Sequence, residues 1–462
     1  MTIESNGRRP LAGRLMAVIG AGPAGLFAAR ELAAQGARVV MFNRDVKPGG
    51  LAEYGIYPTK HTMKEGLRKQ FRKILDSPEM FYYGNVSIGD RGDLTLSDLR
   101  RLGFQALLVT VGAQGTKWLG LPGEDLRGVY HAKDLVYHYN QLPPFSEQKY
   151  AIGRRVAVIG VGNVMLDIAH WTIRMLKVDE VIAVARRGPA EVKFDKKEME
   201  IVVENLDLAA LEAEIERVRP IMEAVGQDVG KAKEYILSAL PKSRPKVSDT
   251  RFRFEFMASP VRILGDAAGR VTGLEVEDTT LALRDGELKS EGLGTTRTLD
   301  VDTVIFAIGD KVDESFGLWV KRNEFLKYPQ PRFPVEGLSY EAYDLESGGP
   351  LEGVFVAGWA REASSGLVGT ARKDGVNGAK AVAQYLSSLP ALDEKTLSAR
   401  LEQIALHLEQ FDKPIISKAD WQRLEEIEQA EAQRLGLEEF KFDSNEEMLE
   451  AIGREVPELV MA

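Results

Sequence analysis

Apolar and polar positions in this chain switch between two periods. A short apolar run, LMAVIG at residues 15–20, leads into a glycine turn, and small and apolar residues then recur at helical spacing over 24–35. A second apolar run covers 37–42, so the pattern predicts a βαβ start. The same order returns as a strand at 155–160, a helix at 163–176 and a strand at 181–185. Between the two, 65–75 reads as a helix, and Asp93 to Arg101 as a short helix feeding a strand from Ala106 to Val111. The polar stretch 140–154, with two prolines, reads as a connector. Residues 196–240 are helical by pattern, while 251–264 and 270–276 alternate and predict antiparallel strands. Strands are expected at 301–308 and 353–357, then a helix at 370–386 and a charged, amphipathic helical tail over 391–462. No solenoid repeat or low-complexity segment interrupts this order.

A chain of 462 residues is too long for one core. Two βαβ starts therefore predict an α/β protein with two Rossmann-like, doubly wound nucleotide-binding domains. Hydrophobic residues make up 44% and charged residues 28%, ordinary for a globular protein. No apolar run reaches the roughly 18 residues of a membrane span. Residues 1–14 are polar and basic, with no signal-peptide pattern, so the cytoplasm is the expected address.

The absence of cysteine carries more information. It excludes a redox-active disulfide, thiolate metal sites and a cysteine-ligated iron–sulfur cluster, leaving redox chemistry to bound organic cofactors. The net charge is −9, but from residue 391 onward 18 acidic side chains stand against 8 basic ones. The acidity belongs to the tail, read here as a solvated face that covers the first nucleotide-binding domain, and the body keeps room for a basic docking patch. No aromatic and basic stripe suggests nucleic acid.

The first turn is GAGPAG, Gly20-Ala21-Gly22-Pro23-Ala24-Gly25. Gly20 permits the turn, Gly22 lets a pyrophosphate approach the backbone, and Gly25 lets the helix pack on the strand. The helix start offers N–H groups and a positive dipole end to phosphate. An acid that grips ribose normally ends the second strand, and here that place falls on Asn43. The amide is either a tolerated change or a sign of altered adenosine binding. In the second turn, GVGNVM, Gly160 and Gly162 are kept and Met165 stands where Gly or Ala is usual. Arg186 and Arg187 follow the next strand, and paired guanidinium forks suit a 2′-phosphate, so NADP(H) is expected over NAD(H).

GAGPAG, GNVSIGD (84–90), YNQLP (139–143), GVGNVMLD, RRGPAEVKFDKKE and AGWAREASSGLVGT (357–370) occur in one order. In that order and spacing the chain resembles the adrenodoxin-reductase-like ferredoxin–NADP reductases, and the tail segment KPIISKADWQRLEEIE looks like that family's too. The resemblance implies FAD in the first site, NADP(H) in the second, hydride transfer from nicotinamide to isoalloxazine, and electron delivery to an iron–sulfur carrier such as ferredoxin. It implies an NADP domain (114–349) inserted into a discontinuous FAD domain (1–113 and 350–462), with a helical C-terminal extension from 391. By the same resemblance, Gly20, Gly22, Pro23, Ala24 and Gly25 hold the FAD pyrophosphate, with Asn43, Val86 and Gly112 nearby. Gly50, Leu51, Gly358 and Trp359 border the isoalloxazine, and Gly366, Leu367 and Val368 open a helix facing its pyrimidine edge. Asn163 and Val164 meet the NADP pyrophosphate, Arg186 and Arg187 the 2′-phosphate, and Glu198 the nicotinamide side.

Three departures stand out. Ala363-Ser364-Ser365-Gly366 replaces the family's Gly-Pro-Thr-Gly, and Ile201 stands where an acid is usual. The family's active-site histidine falls on Lys60, with His61 next to it, so both are candidates for proton handling; His61 also reads as an exposed loop residue. Two basic clusters could steer an acidic carrier: Arg68, Lys69, Arg72 and Lys73, and Lys242, Arg244, Lys246, Arg251 and Arg253. These departures leave open a nucleotide-binding scaffold that has lost turnover, or an NADPH–quinone (diaphorase-type) reductase. Oligomeric state is not legible.

Overall fold

The computed structural model describes residues 9–363 and 366–455. It divides into two compact units. One takes in the described residues up to Thr116, Tyr139–Glu147 and those from Gly309 onward; the other takes in Lys117–His138 and Gln148–Ile308. Residues 309–349 thus group with the first unit.

The first unit opens with β1 (Leu15–Ile19), α1 (Pro23–Ala34), β2 (Arg38–Phe42), α2 (Leu51–Tyr54), α3 (His61–Leu75), β3 (Met80–Gly84), α4 (Leu96–Arg101) and β4 (Ala106–Val109). Its seven-stranded sheet runs in the order Glu341–Asp344, Gly349–Val356, β4, β1, β2, β3, Ile416–Ser417. The inner strands are parallel and the two outer ones antiparallel to their neighbours. Both faces are covered, which is why β1 is apolar throughout instead of alternating. Met16 and Val18 pack under α1 with Leu26, Phe27 and Leu32, and Leu15, Ala17 and Ile19 pack on the other face with Leu99, Leu397 and Ile404.

The second unit carries a parallel five-stranded sheet in the order Val129–His131, Thr303–Phe306, Arg155–Ile159, Glu180–Val184, Arg251–Glu255. A separate antiparallel sheet joins Ala258–Gly265, Val271–Arg284 and Glu287–Leu299.

Several expectations are corrected here. Arg251–Glu255 pairs in parallel with Glu180–Val184 and belongs to the nucleotide-type sheet, not to an antiparallel one. Strand Glu287–Leu299 was not expected; most of it is polar and exposed, so it carries no apolar period. The helix after the second turn is α-helical only to His170 and continues as a π-helix over Trp171–Leu176. α3 begins at His61, four residues before the expected start, which makes His61 a helix residue.

The tail packs on the first unit and also joins its sheet. Ile416–Ser417 extends the first unit's sheet beyond β3, and Trp421, Leu424, Glu425 and Glu428 are buried. No helix of the described residues is long and apolar enough to cross a membrane.

Candidate dinucleotide sites

At the end of β1 the chain turns sharply. Gly20 has φ +104°, and a Cβ there would lie 2.7 Å from the Thr110 carbonyl oxygen. Thr110 itself closes the turn: its hydroxyl lies within hydrogen-bonding distance of the carbonyls of Ile19 (3.0 Å) and Gly20 (2.9 Å), and its one proton goes to either. A Cβ on Gly25 would come within 2.0 Å of the Gly20 carbonyl, so the helix start leaves no room for a methyl group. Gly22 differs, because a Cβ there would meet nothing within 4 Å. That empty cradle, beside a helix start with no side-chain cap, fits a pyrophosphate. The contrast yields a prediction. Gly25→Ala should cost about 1–3 kcal/mol in chemical denaturation through overpacking. Gly22→Ala should leave the flavin-free protein within about 0.5 kcal/mol of the parent while weakening its hold on flavin.

The same construction appears in the second unit. Gly160 has φ +122°, with a Cβ falling 2.4 Å from the Ala307 carbonyl, and Gly162 is open to 4 Å. Each unit thus seats its glycine turn against the carbonyl of the neighbouring parallel strand.

Around the first turn, Gly50 caps α2 and stands against it, its absent Cβ only 3.1 Å from Gly22 Cα. Leu51 opens α2. Val86 is buried and its N–H donates to the Asn43 carbonyl (2.9 Å); Gly112 takes φ +73° after β4. Gly358 has φ +68°, a Cβ there would sit 2.6 Å from Ala24 Cβ, and its N–H donates to Asp374 (2.6 Å). Trp359, beside it, is half-buried. Asp374 also accepts from Tyr340 (2.9 Å) and from Arg361 (2.7 Å), so it fixes the turn that carries Trp359. Gly366 has φ +71°, Leu367 is exposed and Val368 begins a helix with no side-chain cap. That helix, Val368–Ser388, lies against α1: a Cβ on Gly375 would come within 2.2 Å of the Ala24 carbonyl. Ser364 and Ser365, in the altered segment, lie outside the described residues.

Sequence reasoning missed Thr110 and Asp374, which lack a spacing motif, and a buried ionic cluster. Glu53, on α2, pairs with Lys441 (2.8 Å), Arg68 (2.5 Å) and Lys47 (3.9 Å). Lys47 also pairs with Glu428, and Arg68 with Glu439. Burial disfavours the Glu53 carboxylate, but Lys441, Lys47 and Arg68 together hold its pKa well below the ordinary value.

This cluster corrects the first docking patch. Arg68 is spent on Glu53 and Glu439, and Arg72 on Glu425 (2.8 Å) and Glu65 (3.2 Å); only Lys69 and Lys73 are exposed. His61 also faces the tail, with Nε2 3.0 Å from Glu438, and is not an exposed loop residue. Lys60 precedes α3 as its N-cap residue.

In the second unit, Asn163 is tied by its side chain to Asp195, donating to its carboxylate (2.8 Å) and accepting from its N–H (2.7 Å). The backbone N–H groups of Asn163 and Val164 remain at the helix start. Met165 is fully buried beneath it. Arg186 is exposed and Arg187 half-exposed. Among the described residues neither side chain makes an ion pair or a hydrogen bond. Their neighbours differ: Arg251 pairs with Asp207 and Glu180, and Arg253 with Glu180 and Glu255. The second docking patch therefore reduces to Lys242, Arg244 and Lys246, all exposed, with Lys246 also 3.8 Å from the exposed Asp249. Glu198 lies on the short helix Lys196–Met199, and Ile201 is buried.

Comparisons with known proteins agree with this architecture. Residues 15–319 match the family model described as pyridine nucleotide-disulphide oxidoreductase. The chain is 26% identical to the NADPH-ferredoxin reductase FprA of Mycobacterium leprae, over 94% of this chain and 97% of that one. It is 27% identical to the mitochondrial NADPH:adrenodoxin oxidoreductase of Arabidopsis thaliana, over 76% and 78%. In fold it matches Mycobacterium tuberculosis FprA in complex with NADPH, with a TM-score of 0.76 at 24% identity, covering 95% of this chain and 99% of that one.

Proposed function

Since the chain belongs to the pyridine nucleotide-disulphide oxidoreductase family, we propose that it is an FAD-containing NADPH oxidoreductase that passes electrons to an iron–sulfur protein. Despite the family's name, disulfide chemistry is out of reach, because the chain has no cysteine. The observation that carries the proposal is the pair of open glycine turns, one in each unit, with two arginines beside the second that have no partner among the described residues.

Bound FAD supplies the chemistry that links two-electron and one-electron transfer. The protein's own groups bind and orient. Gly22 lets phosphate reach the first-turn N–H groups of α1. The uncapped start of Val368–Ser388 offers a positive dipole end where negative charge on a reduced flavin would be stabilised. Arg186 and Arg187 would provide forked donors for the 2′-phosphate, and the N–H groups of Asn163 and Val164 would meet the coenzyme pyrophosphate. Lys60 and His61 in the first unit, and Glu198 in the second, remain the candidates for handling protons or placing the nicotinamide.

We assign the iron–sulfur partner an acidic docking face, met by Lys242, Arg244 and Lys246. Support comes from their exposure, and from the names of the ferredoxin and adrenodoxin reductases the chain resembles.

The test is an anaerobic stopped-flow trace of the purified protein mixed with NADPH or NADH. NADPH should bleach the flavin band at least about tenfold faster, a difference of roughly 1.4 kcal/mol. A colourless protein that takes up no FAD, or equal rates with both coenzymes, would sink the proposal.

A further inference from the structure

Beside the first glycine turn the place of the ribose-binding acid is held by Asn43, and its carboxamide is committed inside the protein. Oδ1 accepts from the Ala21 N–H (3.2 Å), and Nδ2 donates to the carbonyls of Asp45 (2.8 Å) and Lys47 (2.9 Å). The residue is only 5% exposed. A carboxylate could accept from Ala21, but it would face two carbonyl oxygens with no proton between them. The loop after β2 therefore requires an amide, and the requirement is structural.

The next residue, Arg44, is different. Half of its side chain is exposed; Nε lies 3.2 Å from Asp45 Oδ1, and Nη2 donates to Gln114 Oε1 (3.3 Å). Arg44 follows β2 and Gln114 follows β4, while β1 lies between those strands in the sheet. The Arg44–Gln114 hydrogen bond thus crosses the end of β1, where Gly20 and Gly22 form the turn. A dinucleotide on that turn has its ribose at the β2 side and its pyrophosphate over β1.

We infer that Arg44, oriented by Gln114, recognises the ADP half of the flavin dinucleotide, in place of the missing acid. This rests on the FAD reading above. A guanidinium donates to the lone pairs of ribose oxygens, where a carboxylate would accept their protons, and its second edge suits a phosphate oxygen. The site has kept its ligand and reversed its charge.

The test uses the full chain stripped of flavin and titrated calorimetrically with FAD, FMN and ADP. Arg44→Ala should weaken FAD and ADP by about tenfold or more, leave FMN within about twofold, and flatten the salt dependence of ADP binding. Arg44→Lys should keep the salt dependence and recover only part of the affinity, since an ammonium is a point charge. Asn43→Asp should lower the melting temperature without tightening FAD. Unchanged FAD and ADP affinity in Arg44→Ala overturns the inference. So does an equal loss for FMN, which would mark general damage, or tighter FAD binding by Asn43→Asp. If the parent itself takes up no FAD, the FAD reading fails first and this inference falls with it.

Discussion

Changing Arg186 and Arg187 together to alanine is expected to lower kcat/KM for NADPH by about 100-fold or more, and that for NADH by no more than about threefold. Two charge-assisted hydrogen bonds to a phosphate are worth roughly 1.5–3 kcal/mol each, and each 1.4 kcal/mol is about a factor of ten. The prediction takes its force from what the two arginines do not do. Nearby arginines of the same unit are engaged: Arg253 bonds Glu180 (2.9 Å) and Glu255 (2.5 Å). Arg186 and Arg187 carry their charge without a partner among the described residues, which is poor use of two side chains unless a ligand supplies the anion. Arg253→Ala is the matched control: it should lower stability and leave the coenzyme ratio alone. A ratio unmoved by the double change would return the pair to the status of a solvated turn.

A second large effect is expected at Glu53. Glu53→Gln should cost about 3–5 kcal/mol in chemical denaturation, because it leaves Lys47, Arg68 and Lys441 short of a buried counter-charge. The pH dependence has a definite sign. The folded-state pKa of Glu53 lies well below its ordinary 4.5. Its carboxylate therefore contributes stability that is fully present above 4.5 and is lost as pH falls through the depressed value. The gap between parent and Glu53→Gln should narrow on acidification below 4.5, and also as pH rises through neutral, where Lys441, whose pKa burial lowers to about 7, gives up the charge that Glu53 balances. A gap that stays constant down to the acid limb would show that Glu53 is not the ionised centre of the cluster.

Local signals made the glycine turns legible in the sequence. Gly20, Gly25 and Gly160 are fixed by contacts within their own strand–turn–helix unit or with the next strand, and such constraints leave a spacing pattern behind. The Glu53 cluster left none, because its members are brought together by tertiary packing: Glu53 and Lys441 lie 388 positions apart. Reading Arg68 and Arg72 as free surface charge was the natural result, since a helix face shows its charges but not the tail laid over it. Strand direction was equally hidden. Arg251–Glu255 has the alternation of any half-buried strand, and only its neighbour decides that it runs parallel. At Asn43 the sequence raised the right question, but the answer depended on where Ala21, Asp45 and Lys47 point their backbone groups.

The first unit is drawn from segments on either side of the other unit in sequence, and this has a consequence for its birth on the ribosome. Its central strands β1 to β4 are synthesised before the other unit, yet Gly349–Val356, Ile416–Ser417 and the buried Lys441 that complete it emerge after it. The other unit, ending at Ile308, has all its parts in hand well before. Maturation therefore runs against chain order: the middle of the polypeptide can finish folding while the opening stretch waits for its final partners, exposed meanwhile to chaperones and proteases.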